Sequence, residues 1–296
     1  MFAINYFEQV YDALLSDKTR KKTEKVILSI AIASFLVHLA IIFLVDYQII
    51  DLTSNSELLK NPIAAIYTPF SFILVYEVYL LIYYLPKSLT TYIGKQYEII
   101  SLIIIRRLFK DLSNLSLTPD WFNIKYDLQF TYDLVASVFL FFLIYQFYKF
   151  SKQRQTIAEA DEVGSLNYIN LKKRLAASLV IVVFAVAIYA FVSWLYGAIH
   201  ASNNQTVSFK NINNIFFEQF FTILIVVDVI LLLFSFFHTD TFYVVFRNSG
   251  FIISTILIRI SFSVTGLLNT LLILSAIVFG LLILMISKKF EKHLLI

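Results

Sequence analysis

Two arginine-bearing stretches decide the fold: residues 97–117, YEIISLIIIRRLFKDLSNLSL, and residues 246–266, FRNSGFIISTILIRISFSVTG. Each has the length of a membrane-crossing helix, yet the first carries Arg106 and Arg107 and the second carries Arg259. Six other runs reach the roughly 20 apolar residues that a crossing needs: Val26–Val45, Ile63–Leu85, Leu128–Phe150, Leu175–Ala198, Phe216–Phe237 and Leu267–Ile286. If both arginine stretches also cross, 17 of the 24 Lys and Arg fall on cytoplasmic segments, 4 fall outside and 3 lie within helices. If neither crosses, the cluster from Lys149 to Arg174 moves outside and the division becomes 15 against 9. Cytoplasmic loops collect Lys and Arg, so the sequence predicts an all-α protein with eight transmembrane helices and both termini cytoplasmic.

Composition agrees with a membrane protein. Of 296 residues, 59% are hydrophobic and only 15% charged, with a mean hydropathy of +0.78. Soluble domains carry about 25% charged residues, so this chain lacks the polar surface to cover itself in water. The net charge of +4 comes from basic clusters that flank apolar runs, a pattern of topology and not of nucleic-acid binding. With no Cys, a disulfide scaffold, a thiol nucleophile and Cys-based metal sites are excluded. The sequence contains no Gly-rich phosphate loop, Gly-x-Ser-x-Gly elbow or His-Glu-x-x-His. Its four histidines, at 38, 200, 238 and 293, are scattered in topology. No enzyme, cofactor or metal centre is read from it, and His238 with Asp240 reads as a polar turn.

Residues 1–25 lack the apolar core of a secretory signal. Phe2, Tyr6, Val10 and Leu14 recur at helical spacing ahead of Lys18, Arg20, Lys21, Lys22 and Lys25. They predict an amphipathic helix on the inner membrane surface. Trp121 and Trp194 fall near predicted membrane boundaries, where indole favours the interface.

The chain also reads twice. Phe72-Ile-Leu-Val-Tyr-Glu77 leads through a basic turn to Ile99-Ile-Ser101-Leu-Ile-Ile-Ile-Arg106. Thr222-Ile-Leu-Ile-Val-Val-Asp228 leads through a turn to Ile252-Ile-Ser254-Thr-Ile-Leu-Ile-Arg259. An acid, an Ile-Ile-Ser triplet and an arginine thus recur in one order at nearly one spacing. The expected organisation is two parallel four-helix repeats, 26–150 and 175–287, related by an axis along the membrane normal. A polar linker, 151–174, holds Glu159, Asp161 and Glu162 between them, and a short basic tail, 288–296, follows.

A charge at mid-bilayer costs about 2.5–3.5 kcal/mol on insertion scales, so it normally faces a partner or water. Counted from their predicted inner ends, Glu77 and Arg106 come out level, as do Asp228 and Arg259. The sequence therefore predicts Glu77–Arg106 and Asp228–Arg259 ion pairs, with Arg107 either pairing or snorkelling. Such pairs either lock neighbouring helices or line a hydrated crevice that passes an ion or proton. The stripe Thr255, Arg259, Ser263 and the row Tyr76, Tyr79, Tyr83 favour the crevice. Asp133 reads as a solvated carboxylate at a helix N-terminus, and His38 as a packed hydrogen-bonding residue or a proton carrier. Glu98 and Arg247 read as solvated boundary residues, and Pro69 as a kink above Glu77.

The segment Tyr76-Glu77-Val-Tyr-Leu-Leu-Ile, with Lys95-Gln-Tyr97-Glu-Ile-Ile-Ser101, resembles the second and third helices of the voltage-sensor-like four-helix domain of ion channels. The resemblance covers 72–107 and repeats over 222–259. It implies that Glu77 and Asp228 correspond to the charge-pairing acid of that second helix. The chain departs from the family where Ser101 and Ser254 replace an acid, and where Phe130–Tyr148 and Leu267–Ile286 carry no arginine ladder. No filter-like glycine loop is present either. The sequence thus points to a channel- or transporter-type protein of the plasma or cytoplasmic membrane. Its partners would be the bilayer, an inorganic ion or proton, and a second copy of the chain, with the Phe-rich face 139–147 serving either lipid or that second subunit. The rival expectation is a non-conducting membrane subunit or scaffold.

Overall fold

Long runs of Leu, Ile, Val and Phe leave the backbone few ways to satisfy its N–H and C=O groups away from water, and the α-helix does so within a single segment. The computed structural model describes residues 9–48, 62–112, 125–152, 166–200, 209–239, 241–264 and 266–294. Among them, eight long helices follow one another: α1 (Asp17–Asp46), α2 (Tyr67–Tyr84), α3 (Leu89–Leu112), α4 (Lys125–Lys152), α5 (Leu166–His200), α6 (Phe209–His238), α7 (Phe242–Ser261) and α8 (Leu267–Leu294). No strand occurs among the described residues. Five helices, α1, α4, α6, α7 and α8, are long and apolar enough to cross a membrane, and α2 adds a shorter apolar helix, Thr68–Tyr84. Of the two arginine stretches, the second forms the spanning-length α7. The first lies in α3, whose charges keep it outside that set by composition.

Each helix packs on the next within α1–α4 and within α5–α8. The two halves meet through α4 against α8, α3 against α7, and α2 against α5. The apolar windows of α7 and α8 are about half buried, whereas that of α1 is mostly exposed at the rim. Two glycines permit the tightest contacts at the centre. Tyr97 of α3 lies over Gly280 of α8, where an added Cβ would fall 1.9 Å from the Tyr97 hydroxyl. Gly250 of α7 likewise receives Ile283. Ser254 Oγ donates to the Ala276 carbonyl at 2.7 Å. With that proton committed, the Tyr97 O–H is the donor of the 2.7 Å bond to Ser254 Oγ, tying α3 to α7 and α8.

Several element-level expectations change. Pro69 lies in the first turn of α2, after a 3-10 helix over Pro62–Ile66, where its missing N–H is tolerated. The α3 helix starts at Leu89 and not near Tyr97, because Ser88 and the turn 85–88 form its start. The linker is helical from Leu166 onward, with Lys172 only 4% exposed and its ammonium 4.3 Å from the Tyr168 ring centroid; Glu159, Asp161 and Glu162 lie outside the described residues. Trp121 also lies outside them, and α5 carries Trp194 without its side chain being described.

At the N-terminus, residues 9–14 are helical and Leu15 is buried in the core. Ser16 caps α1 by accepting from the Thr19 N–H at 3.2 Å. This segment packs on protein: Tyr79 donates to the Leu14 carbonyl at 2.9 Å, and Lys173 of α5 lies over the Tyr11 ring. Residues 1–8 lie outside the described residues.

Candidate functional site

A short turn joins α2 to α3, so residues equally far from it lie level. Glu77 is seven residues before Tyr84, about 10 Å along the axis at 1.5 Å per residue. Arg106 is 17 residues beyond Leu89, about 26 Å. The earlier start of α3 therefore lifts Arg106 well beyond Glu77, and its Nη1 donates to the Phe70 carbonyl at 3.5 Å. Gln96, seven residues into α3, takes the level of Glu77 instead. Glu77 is 5% exposed, and its Oε2 has no hydrogen-bond partner among the described residues. Arg106 acts on it only through the longer-range field.

The second acid is held differently. Asp228 of α6 is 1% exposed. Tyr92 of α3 donates its O–H to Asp228 Oδ1 at 2.9 Å. Gln96, also of α3, donates Nε2–H to Oδ2 at 3.2 Å. Thr255 Oγ1 lies 3.4 Å from Oδ2 while donating to the Ile252 carbonyl at 2.9 Å. Asp228 thus takes neutral donors, two of them from the opposite half of the chain, in place of the Arg259 ion pair that the spacing predicts. Asp228, Gln96 and Thr255 line a small cleft among α2, α3, α6 and α7. Leu81, Gln96, Asp228, Thr255 and Arg259 all border it.

A third cluster lies at the far end of α3. Arg107 grips Asp133 of α4 with two bonds, Nε to Oδ2 and Nη2 to Oδ1, the latter at 2.7 Å. Asp133 is fully buried, so the solvated role expected of it is replaced by a buried ion pair. Thr270 of α8 donates to Asp133 Oδ1 at 2.7 Å, and Arg107 Nη1 donates to Asn269 Oδ1 at 2.6 Å. Asn269 Nδ2 in turn donates to the Ser261 carbonyl at 2.6 Å, at the end of α7. One pair therefore braces α3, α4, α7 and α8 together. Sequence reading missed the pair because Asp133 read as a solvated carboxylate, and missed Asn269 because it lies 162 residues from Arg107. The signal that could have found it was the rarity of an Asp inside α4.

The remaining predicted residues fall outside these clusters. His38 bonds Thr68 through Nδ1, joining α1 to α2. Ser263 lies exposed in the turn after α7, so the polar stripe ends at Arg259. The tyrosine row does not line the cleft. Tyr76 donates to Glu24 at 3.1 Å, and Tyr83 bonds Asp17, so the row clamps the start of α1. Glu98 pairs with Lys95 at 2.6 Å, both side chains partly exposed. Arg247 is buried and not solvated, and its neighbour Asn248 donates to Ser235 at 2.7 Å. Among the described residues, no group of three or more His, Cys, Asp or Glu is placed to hold a metal ion. A scan of protein-family models, and searches of curated proteins and of solved structures, found nothing that matches this chain.

Proposed function

We propose that this chain is an ion-translocating membrane protein of eight spans, built as two tandem four-helix repeats, whose mobile charge is handled at the Asp228 cleft. One observation carries the reading: Asp228 is 1% exposed, accepts only neutral donors, and borders a small cleft. An ionised carboxylate buried without a cation is expensive, and intramembrane acids of this kind mark ion pathways. The repeat organisation is supported by the packing of third helix on third helix, α3 on α7, and of fourth on fourth, α4 on α8. A two-fold axis between the halves would produce such like-with-like contacts. The resemblance of 72–107 to the voltage-sensor-like domain belongs to the same reading, with Glu77 as the weaker counterpart of Asp228.

The scaffold reading has its own support in the Arg107–Asp133 brace, a closed and satisfied cluster that needs no ion. Purified protein in liposomes separates the two. Translocation predicts flux of at least one of H⁺, Na⁺, K⁺ or Cl⁻ under a gradient, reduced by Asp228→Asn and less so by Glu77→Gln. The scaffold predicts none.

A further inference from the structure

The start of α1, the turn between α2 and α3, and the start of α5 meet at one corner of the bundle. Tyr83 of α2 is its buried centre. The Arg20 guanidinium lies 5.3 Å from the centroid of its ring, and the Lys87 ammonium 5.5 Å. From α5, Lys172 Nζ donates to the Lys87 carbonyl at 3.3 Å, and Lys173 lies 5.4 Å from the Tyr11 ring centroid. Cations are thus crowded here. Lys87, Arg20 and Lys21 all act on the Asp17 carboxylate, which also accepts the Tyr83 O–H. The other acids of the corner are Asp12, beside Tyr11, and Glu24, which accepts from Tyr76. Arg20, Lys21, Lys87, Lys172 and Lys173 outnumber these three acids. Arg20 Nε is buried without a hydrogen-bond partner among the described residues, because Asp17 stands 4.0 Å away. Lys21 and Lys87 are exposed. A phosphate, with several anionic acceptor oxygens, is the group that such a guanidinium and ammonium set holds best.

The surroundings select the source of that phosphate. From this corner α1 runs along the rim with its apolar window mostly exposed, and Val26, Leu28, Ile30 and Ile32 face outward. The hydroxyls of Tyr76, Tyr79 and Tyr83 are spent on Glu24, the Leu14 carbonyl and Asp17, an aromatic belt of the kind found at headgroup level. We infer that this corner binds an anionic phospholipid, its phosphate held by Arg20 and Lys87 with Lys173 beside them, and its acyl chains lying along the exposed face of α1. Basic clusters at the ends of membrane helices recognise such headgroups, and the cytoplasmic leaflet, where the sequence expects this end, is the one rich in them. The inference needs the membrane bundle and not the translocation reading.

The test uses the full chain in detergent, titrated with phosphatidylglycerol, with phosphatidylcholine of the same acyl chains, and with inorganic phosphate. Bound lipid is counted by native mass spectrometry. Phosphatidylglycerol should be retained and phosphatidylcholine not. The double variant Lys87→Gln, Lys173→Gln should weaken retention at least tenfold, at roughly fivefold for each charge removed. Lys289→Gln with Lys292→Gln, both exposed at the end of α8, removes the same charge elsewhere and should leave it unchanged. Asp17→Asn, which removes a competing acid, should tighten binding, a gain that misfolding cannot produce. Equal retention of the two lipids, or equal loss in both double variants, would overturn the site. Inorganic phosphate binding as tightly as the lipid would overturn the lipid as its ligand.

Discussion

At the scale of single residues, three acids in one bundle are handled in three ways. Asp133 is paired, Asp228 is hydrogen-bonded by neutral groups, and Glu77 keeps one oxygen without a partner. Removing one member of a buried pair strands the other's charge, at about 3–5 kcal/mol. Arg107 keeps 29% of its side chain exposed, so about 3 kcal/mol is expected for Asp133→Ala. Thermal unfolding in detergent should show Arg107→Ala costing a similar amount, and the double variant costing little more than either alone. Additive losses would mean that the pair is not coupled. The sequence marked Glu77, Asp228 and the arginines as scarce and therefore consequential, and that much was legible, whereas Asp133 read as a solvated carboxylate. Their partners were not, because Tyr92, Gln96 and Thr270 reach their acids, and Asn269 reaches Arg107, across more than 130 residues of chain.

At the scale of elements, helix existence was legible and helix register was not. Apolar runs placed all eight helices, but the start of α3 at Leu89 lies in a stretch whose Thr, Lys and Gln conceal its helical pattern. That difference of eight residues separates Glu77 from Arg106 by more than two turns. The seat of Tyr97 against α8 depends on a glycine the sequence did not single out. Gly280→Ala would drive a methyl into the Tyr97 hydroxyl, and overpacking of this kind costs about 1–3 kcal/mol. Tyr97→Phe removes the oxygen along with its bond to Ser254, a loss of about 1 kcal/mol by itself. In the Tyr97→Phe background, Gly280→Ala should therefore cost less than it does alone, as read from melting temperatures of the four proteins. An equal cost in both backgrounds would show that the hydroxyl does not set the α3–α8 distance.

At the scale of the whole molecule, the translocation reading requires α3 to carry its arginines through the bilayer, since Asp228 takes two of its hydrogen bonds from that helix. The chain has no Cys, so single cysteines can be introduced at Ser88, Ser151 and Ser263 and labelled with a membrane-impermeant maleimide from either side. Eight spans predict Ser88 and Ser151 accessible from one side and Ser263 from the other. Ser151 labelled from the side opposite Ser88 would place α3 along the membrane surface and contradict the bundle in which the cleft is formed.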